Sequence, residues 1–406
     1  MTADDAPLAG VRVVDLTTSY AGPVAAMYLG DLGADVVKVE RVEGDDARGW
    51  GPPFVDGTSA WFLSANRNKR GVALDITRPQ GRAVLDRLLS SADVFVENLN
   101  PGKLARLGLD PAQTRRRHPR LIYCALSGFG LTGPDAGLPG YDLVAQARSG
   151  LMSVTGEEGG MPQRVSTALS DIVCGLVAAL AVTAALRRQE QTGAGELVDV
   201  SLLDADLALM APRIASFLAG EPEPRPSGGK DSVIAVYQPV PTADRPIVVA
   251  AGSDAIWRRL CAVLDLPDLA DDPRLTSNAG RRAHRDHVLA RIEARLRTAP
   301  AEYWLKRLGE AGVPAASVQT LSGVTADPQV RARGAITELE YGDLPVRAVR
   351  SPWLLDSQQT RPDRPPPRLG WDTRSVLAEL GFGEEEVESL IASGVAAAPD
   401  EQENIP

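Results

Sequence analysis

Cysteine and histidine are scarce in this chain of 406 residues, with three of each. Cys124, Cys174 and Cys261 are too few and too scattered for a disulfide framework or a zinc cluster. His118, His284 and His287 bring no Cys, Asp or Glu in a ligand spacing, so no metal site is expected. A basic excess is also missing. The formal net charge is −10 and the pI about 5.0, which argues against nucleic acid as the main partner, because phosphate backbones call for a basic surface. A local basic pocket for a small anion is compatible with that balance. The opening MTADDAPLAG is acidic and lacks the basic and apolar regions of a signal peptide. The longest apolar run, residues 172–186, holds 15 residues before Arg187 and Arg188, short of the about 18 that span a bilayer. These absences predict a soluble, cytoplasmic protein with no membrane partner.

What is present suits a sizeable core: 44% of the residues are hydrophobic and 24% charged. The length predicts two domains, or one large elaborated α/β domain. VRVVDL and DVVKVE read as short buried strands, with PVAAMYLGDLGA between them as a helix that has proline in its first turn. DVFVENL and RLIYCALSGFG repeat the strand signal after helical stretches. Such alternation predicts a parallel sheet with helices on both faces. Residues 220–231, GEPEPRPSGGKD, have a linker composition. A smaller unit follows, with RPIVVAAG as a strand and DAIWRRLCAVLDL and RRAHRDHVLARIEARLRTAP as helices. AEYWLKRLGEAGVPAASVQTL adds a helix and a strand. After the proline-rich TRPDRPPPRLG, SVLAELGFGEEEVESLIAS reads as one last helix, and the tail 397–406 as disordered.

GFGLTG, residues 128–133, matches a dinucleotide-binding fingerprint and follows a strand. That fingerprint should open a helix and meet an acid about 20 residues on. Pro134, Gly137, Gly140 and Gly150 follow instead, so a nicotinamide site is disfavoured. Lys38, Arg41, Arg67, Lys69, Arg70, Lys103 and Arg106 cluster around strand ends, where open parallel sheets bind ligands. As a set they suggest a phosphate-rich ligand, because guanidinium groups grip phosphates bidentately. Singly, each reads as a solvated surface charge.

ALSDIVCGLVAAL, residues 168–180, places a lone acid, Asp171, at the start of an apolar helix. It reads either as a stabilising first-turn acid or as a carboxylate kept ionised by helix amides and able to act as a nucleophile. The two roles are compatible.

Taken in order, several stretches resemble the class III CoA-transferase family, which includes formyl-CoA and carnitine-type CoA transferases. They are PLAGVRVVDLTTSYAGP, LGADVVKVER, GDDARGW, NRNKRGVALDI and ADVFVENLNPGKLARLGLD, followed by SGFGLTGPDAGLPGYDLVAQARSGL. LSDIVCGLVAALAVTAALRRQEQTGAGELVDVSLLDA and the late PRLGWDTRSVLAELGF complete the series. The resemblance implies that Asp171 is the catalytic aspartate and that coenzyme A is a co-substrate, with no cofactor bound permanently. It implies that Ser19, Ala21, Arg41, Leu74, Asn98, Leu99, Lys103 and Arg106 line the CoA path, with Tyr141 and Leu202 near its thiol end. Thr18, Tyr20 and Trp50 would shape the acyl pocket. The implied fold is a large Rossmann-like parallel-sheet domain from both chain ends (residues 1–219 and 326–396), joined by the linker 220–231 to an inserted α/β domain (232–325). The second boundary falls within residues 318–328. Two such chains would interlock as a homodimer.

Three departures matter. Thr18 and Tyr20 stand where the formyl-CoA enzyme has histidine and glutamine. Pro139 replaces its lysine, and its glycine-rich flap is reduced to SGGK. These weaken the case for formyl-CoA and oxalate as substrates. The same fold hosts α-methylacyl-CoA racemases, which need a histidine in the place of Tyr141, so that reading is the runner-up. A CoA-binding protein that has lost catalysis is the third.

Overall fold

Branched apolar residues run through six short segments that become strands, and all but the edge strand are buried over most of their length, as a sheet covered by helices requires. The computed structural model describes residues 5–341, 344–356 and 364–399. In chain order the strands are β1 (Arg12–Leu16), β2 (Asp35–Glu40), β3 (Lys69–Leu74), β4 (Val94–Glu97), β5 (Ile122–Ser127) and β6 (Leu197–Ser201), all parallel. A short β7 (Ala396–Ala397) pairs antiparallel with β3. The order across the sheet is β7-β3-β2-β1-β4-β5-β6. The chain therefore winds outward from β1 in both directions. Crossovers that leave a central pair on opposite sides open a crevice beyond its carboxyl ends, here those of β1 and β4.

The helices that frame this crevice are α1 (Ala21–Asp31), α2 (Asp142–Arg148), α3 (Leu169–Thr192) and α4 (Leu202–Leu218). Along α3, Cys174, Gly175, Ala178, Ala179 and Val182 are buried. Small residues let α3 lie close on α1: a Cβ on Gly175 would come within 2.8 Å of the Ala21 carbonyl oxygen. At 24 residues, α3 is longer than the apolar run it contains, and by composition it is long and apolar enough to cross a bilayer. Its buried face belongs to the same core cluster as Val13, Val36, Val96 and Ile122 of the sheet, which accounts for that composition.

The chain divides into two compact units. One contains residues up to Gly150, then Val165–Ala215 and the chain from Gln329 onward; the other contains Leu151–Arg164 and Ser216–Pro328. Composition placed Leu151–Arg164 with the first unit. Within the second, this segment is tied by the Gly228 amide donating to the Gly156 carbonyl at 3.0 Å and by a Lys230–Glu158 ion pair of 2.6 Å. That unit also holds an antiparallel sheet (Tyr237–Val240, Ile247–Ala250, Ala315–Ser317) over a core containing Trp257, Ile292 and Trp304.

One sequence expectation is corrected near the end of the chain. The single last helix is two, Thr373–Glu379 and Glu384–Ala392. Gly381 at φ +82 takes the left-handed conformation that stops the first, and Gly383 begins the second. The expected disordered tail lies outside the described residues from 400 onward, as does the start of the proline-rich stretch, residues 360–363.

Candidate active site

The crevice is built on buried charge. Lys38 donates to the Thr17 carbonyl at 2.9 Å and to Asp45 at 3.3 Å, with no exposed surface. Lys69 donates to Asp15 at 2.9 Å, and to Asn66 and the Pro23 carbonyl at 2.8 Å each. Arg67 pairs with buried Asp31, and Arg70 with Asp35 and Glu379. These four cations are therefore structural, not the phosphate grip that their clustering suggested. A charge inside the sheet is tolerable only with partners, and each has them. Desolvation, opposed chiefly by Asp15, lowers the Lys69 ammonium to about 8.

This network fixes the turn that follows β1. The Thr18 amide donates to Asn98 Oδ1 at 2.9 Å, and Asn98 Nδ2 donates to the Thr18 carbonyl at 2.8 Å. The strand ends on either side of the crevice are thus clasped together. Ser19 sits at φ +70, a left-handed conformation uncommon outside glycine, and its amide donates to Asp45 at 3.3 Å. Tyr20 shares a 3.0 Å hydrogen bond with the Ser64 hydroxyl and packs on Trp61 with ring centres 4.8 Å apart. Trp50 lies 6.4 Å beyond Trp61 and is 42% exposed. An aromatic wall lines one side of the turn.

Asp171 occupies the first turn of α3 and is half-buried. The expectation that helix amides hold it ionised is corrected. The Ser170 amide donates to Asp142 at 2.8 Å, and among the described residues nothing donates to Asp171. Burial, followed by the nearby charges of Asp142 and Asp206, pushes its carboxyl up to about 7. Burial likewise raises the Tyr20 hydroxyl, with the Ser64 bond opposing and Asp171 adding to the rise. The acid and the β1 turn are therefore close enough to feel each other's charge.

Glycine packing brings Tyr141 to the same place. A Cβ on Gly140 would stand 2.4 Å from the Gly128 Cα. This close approach anchors the segment before α2 to the end of β5. The GFGLTG stretch thus serves packing and turns. No helix opens from it, and the next begins at Asp142.

Among the other expected residues, Thr18, Ser19, Tyr20, Asn98, Leu99 and Lys103 are half-buried around the crevice, and Arg106, Arg41 and Tyr141 are exposed. Lys103 and Arg106 lie on the helix Pro101–Leu107 just beyond β4, and neither forms an ion pair among the described residues. Arg41 pairs with Asp46 at 2.6 Å on the surface. Ala21 starts α1. Leu74 and Leu202 are core side chains, 1% and 5% exposed. Their strand and helix positions bury them in the layers between sheet and helices. Sequence reasoning missed Asp142, Asp206, Trp61 and Ser64. Asp142 follows Tyr141 directly in PGYD, a signal that was available; Asp206 offered none.

The fold is an open, mostly parallel α/β sheet with a half-buried carboxyl, Asp171, in the first turn of α3. The sequence profile of CoA-transferase family III matches residues 8–373. The chain is 39% identical over 382 residues to the succinate–glutarate CoA-transferase of Agrobacterium fabrum, covering 92% of this chain and 96% of that protein. It is 39% identical over 392 residues to the human succinyl-CoA:glutarate CoA-transferase, covering 96% and 90%. The crystal structure of a CaiB/BaiF family protein from Brucella suis superposes with a TM-score of 0.81 at 37% identity, covering 92% of this chain and 99% of that one. The chain belongs to CoA-transferase family III and is an enzyme of that class.

Proposed function

We propose that this enzyme moves CoA from an acyl-CoA to a free carboxylic acid through covalent intermediates on Asp171. The observation that carries the reading is the Asp171 carboxyl itself, half-buried, free of hydrogen bonds among the described residues and poised near neutrality. An Asp171 oxygen attacks the thioester carbon. The new O–C bond forms, the C–S bond breaks, and CoA leaves as thiolate, giving an acyl-aspartyl anhydride. The thiolate attacks the aspartyl carbonyl and expels the first acid, leaving an aspartyl-CoA thioester. The acceptor carboxylate then attacks that thioester, and the returning thiolate attacks the acceptor's acyl carbon to release the new acyl-CoA and Asp171. Splitting the exchange in this way retains the thioester's free energy at every step.

Lys103 and Arg106, on the helix beyond β4 and without ion pairs among the described residues, would meet the nucleotide end of CoA. Thr18, Tyr20, Trp50 and Tyr141 face the acyl end. Coenzyme A enters and leaves as a co-substrate of a cytoplasmic enzyme. The relatives' names make four- and five-carbon dicarboxylic acids the substrate class to test. A homodimer is supported by Leu180, Leu197, Leu207 and Leu209, which are large, apolar and exposed along α3, edge strand β6 and α4.

The test is mass spectrometry of the enzyme with succinyl-CoA and glutarate. Glutaryl-CoA should form, and hydroxylamine added to enzyme and succinyl-CoA should leave a hydroxamate on Asp171. Transfer that persists in Asp171→Ala would refute the mechanism.

A further inference from the structure

Three carboxyls meet at the start of α3, and the proposed chemistry uses one. Asp142 is engaged on both oxygens, by the Ser170 amide and by Gln146 Nε2, each at 2.8 Å. Asp206, from α4, is different. It is wholly buried, its Oδ2 accepts from the Ser170 hydroxyl at 2.8 Å and the Ser149 hydroxyl at 3.5 Å, and its Oδ1 has no partner among the described residues. A buried acid with an unmet oxygen costs stability. Packing does not require it, since asparagine has the same shape and would accept from Ser170 as well. What asparagine lacks is the charge, held here one residue from Asp171.

We propose that Asp206 is a positioning residue acting through Ser170, its negative charge repelling the Asp171 carboxylate so that covalent bond formation at Asp171 relieves the repulsion. The inference rests on Asp171 as the nucleophile. When Asp171 attacks a thioester, the O–C bond forms as the C–S bond breaks, and the negative charge departs with the CoA sulfur. Both the anhydride and the aspartyl thioester are neutral at Asp171. The repulsion therefore opposes the free carboxylate and none of its acylated forms, which favours attack. Asp142 from α2 and Asp206 from α4 act electrostatically on Asp171, and Asp171 acts on Tyr20 of the β1 turn and on Cys174 of its own helix. Burial, then Asp171, pushes Cys174 up to about 12, and Tyr20 is also raised, so both stay neutral near pH 7. Burial also raises the Asp206 carboxyl, with the Ser170 bond opposing the rise.

The test is carbon NMR of protein labelled at aspartate side-chain carboxyls, with the Asp171 signal identified by its loss in Asp171→Asn. In Asp206→Asn and Asp206→Leu the Asp171 titration should move to lower pH by about one unit, and the thermal midpoint of Asp206→Asn should hold or rise. A titration that stays in place overturns the proposal. So does an Asp206→Asn protein that unfolds or loses stability, because the charge would then serve the fold. This readout needs no turnover: absence of CoA transfer in the unaltered enzyme would refute the proposed function and leave this result standing.

Discussion

The Asn98 side chain holds both main-chain groups of Thr18, its Nδ2 donating to the Thr18 carbonyl at 2.8 Å and its Oδ1 accepting from the Thr18 amide at 2.9 Å, across the ends of β4 and β1. One side chain thus closes the crevice floor on which the turn of Ser19 and Tyr20 rests. Asn98→Asp keeps the acceptor and loses the donor, leaving a carboxylate oxygen against the Thr18 carbonyl. We expect kcat/KM for CoA transfer to fall at least about tenfold, with a stability loss of about 1–2 kcal/mol in urea unfolding. Unchanged kinetics would remove Asn98 from the site.

The position of Asp171 near neutrality sets a pH dependence. The carboxylate is the attacking form, so kcat/KM should rise with pH through about 7 and level off above it. Asp171→Asn should lower transfer more than about 10³-fold. A flat profile between pH 6 and 8 would contradict the assignment.

The same group links stability to pH. Its folded pKa lies above the ordinary aspartate value of 3.8, so the folded state binds more protons than the unfolded one between about 4 and 7, and stability falls as pH rises through that window. Asp171→Asn should therefore raise stability at pH 8, by on the order of 2–4 kcal/mol, and change it little at pH 4. Chemical denaturation at the two pH values measures the difference.

Lys69 is held by Asp15, Asn66 and the Pro23 carbonyl with almost no exposure. Lys69→Met removes one member of a buried pair and leaves Asp15 Oδ2 without its lysine, with Thr17 remaining on Oδ1, so unfolding should become easier by about 3–5 kcal/mol. Phosphate binding plays no part in this loss, and any folded fraction should keep its KM for acyl-CoA.

The approach of Gly140 to Gly128 leaves no room for a methyl group. Gly140→Ala should cost about 1–3 kcal/mol and move Tyr141 and Asp142 together. An accompanying change in the acyl-CoA KM, larger than in a surface Gly137→Ala control, is the expected signature.

Valine-rich runs separated by helical segments were enough to predict the parallel sheet, because a strand covered on both faces must be apolar at nearly every position. Asp171, too, stood out in the sequence, since a single acid among small apolar residues is conspicuous wherever the chain folds. The ordered series of family stretches likewise needed no coordinates. Only the tertiary structure decided what the charges do. Lys38, Arg67, Lys69 and Arg70 look like surface cations along the chain, yet they pair with acids up to 309 residues away. The upward shift of Asp171 comes first from its burial and then from Asp142 and Asp206, which lie 29 and 35 positions from it in the sequence and come near it only when α2, α3 and α4 pack. Hydrophobic pattern is a local property that sequence carries, whereas the energy of a charge depends on distance and on the water removed around it, and both are set by the fold.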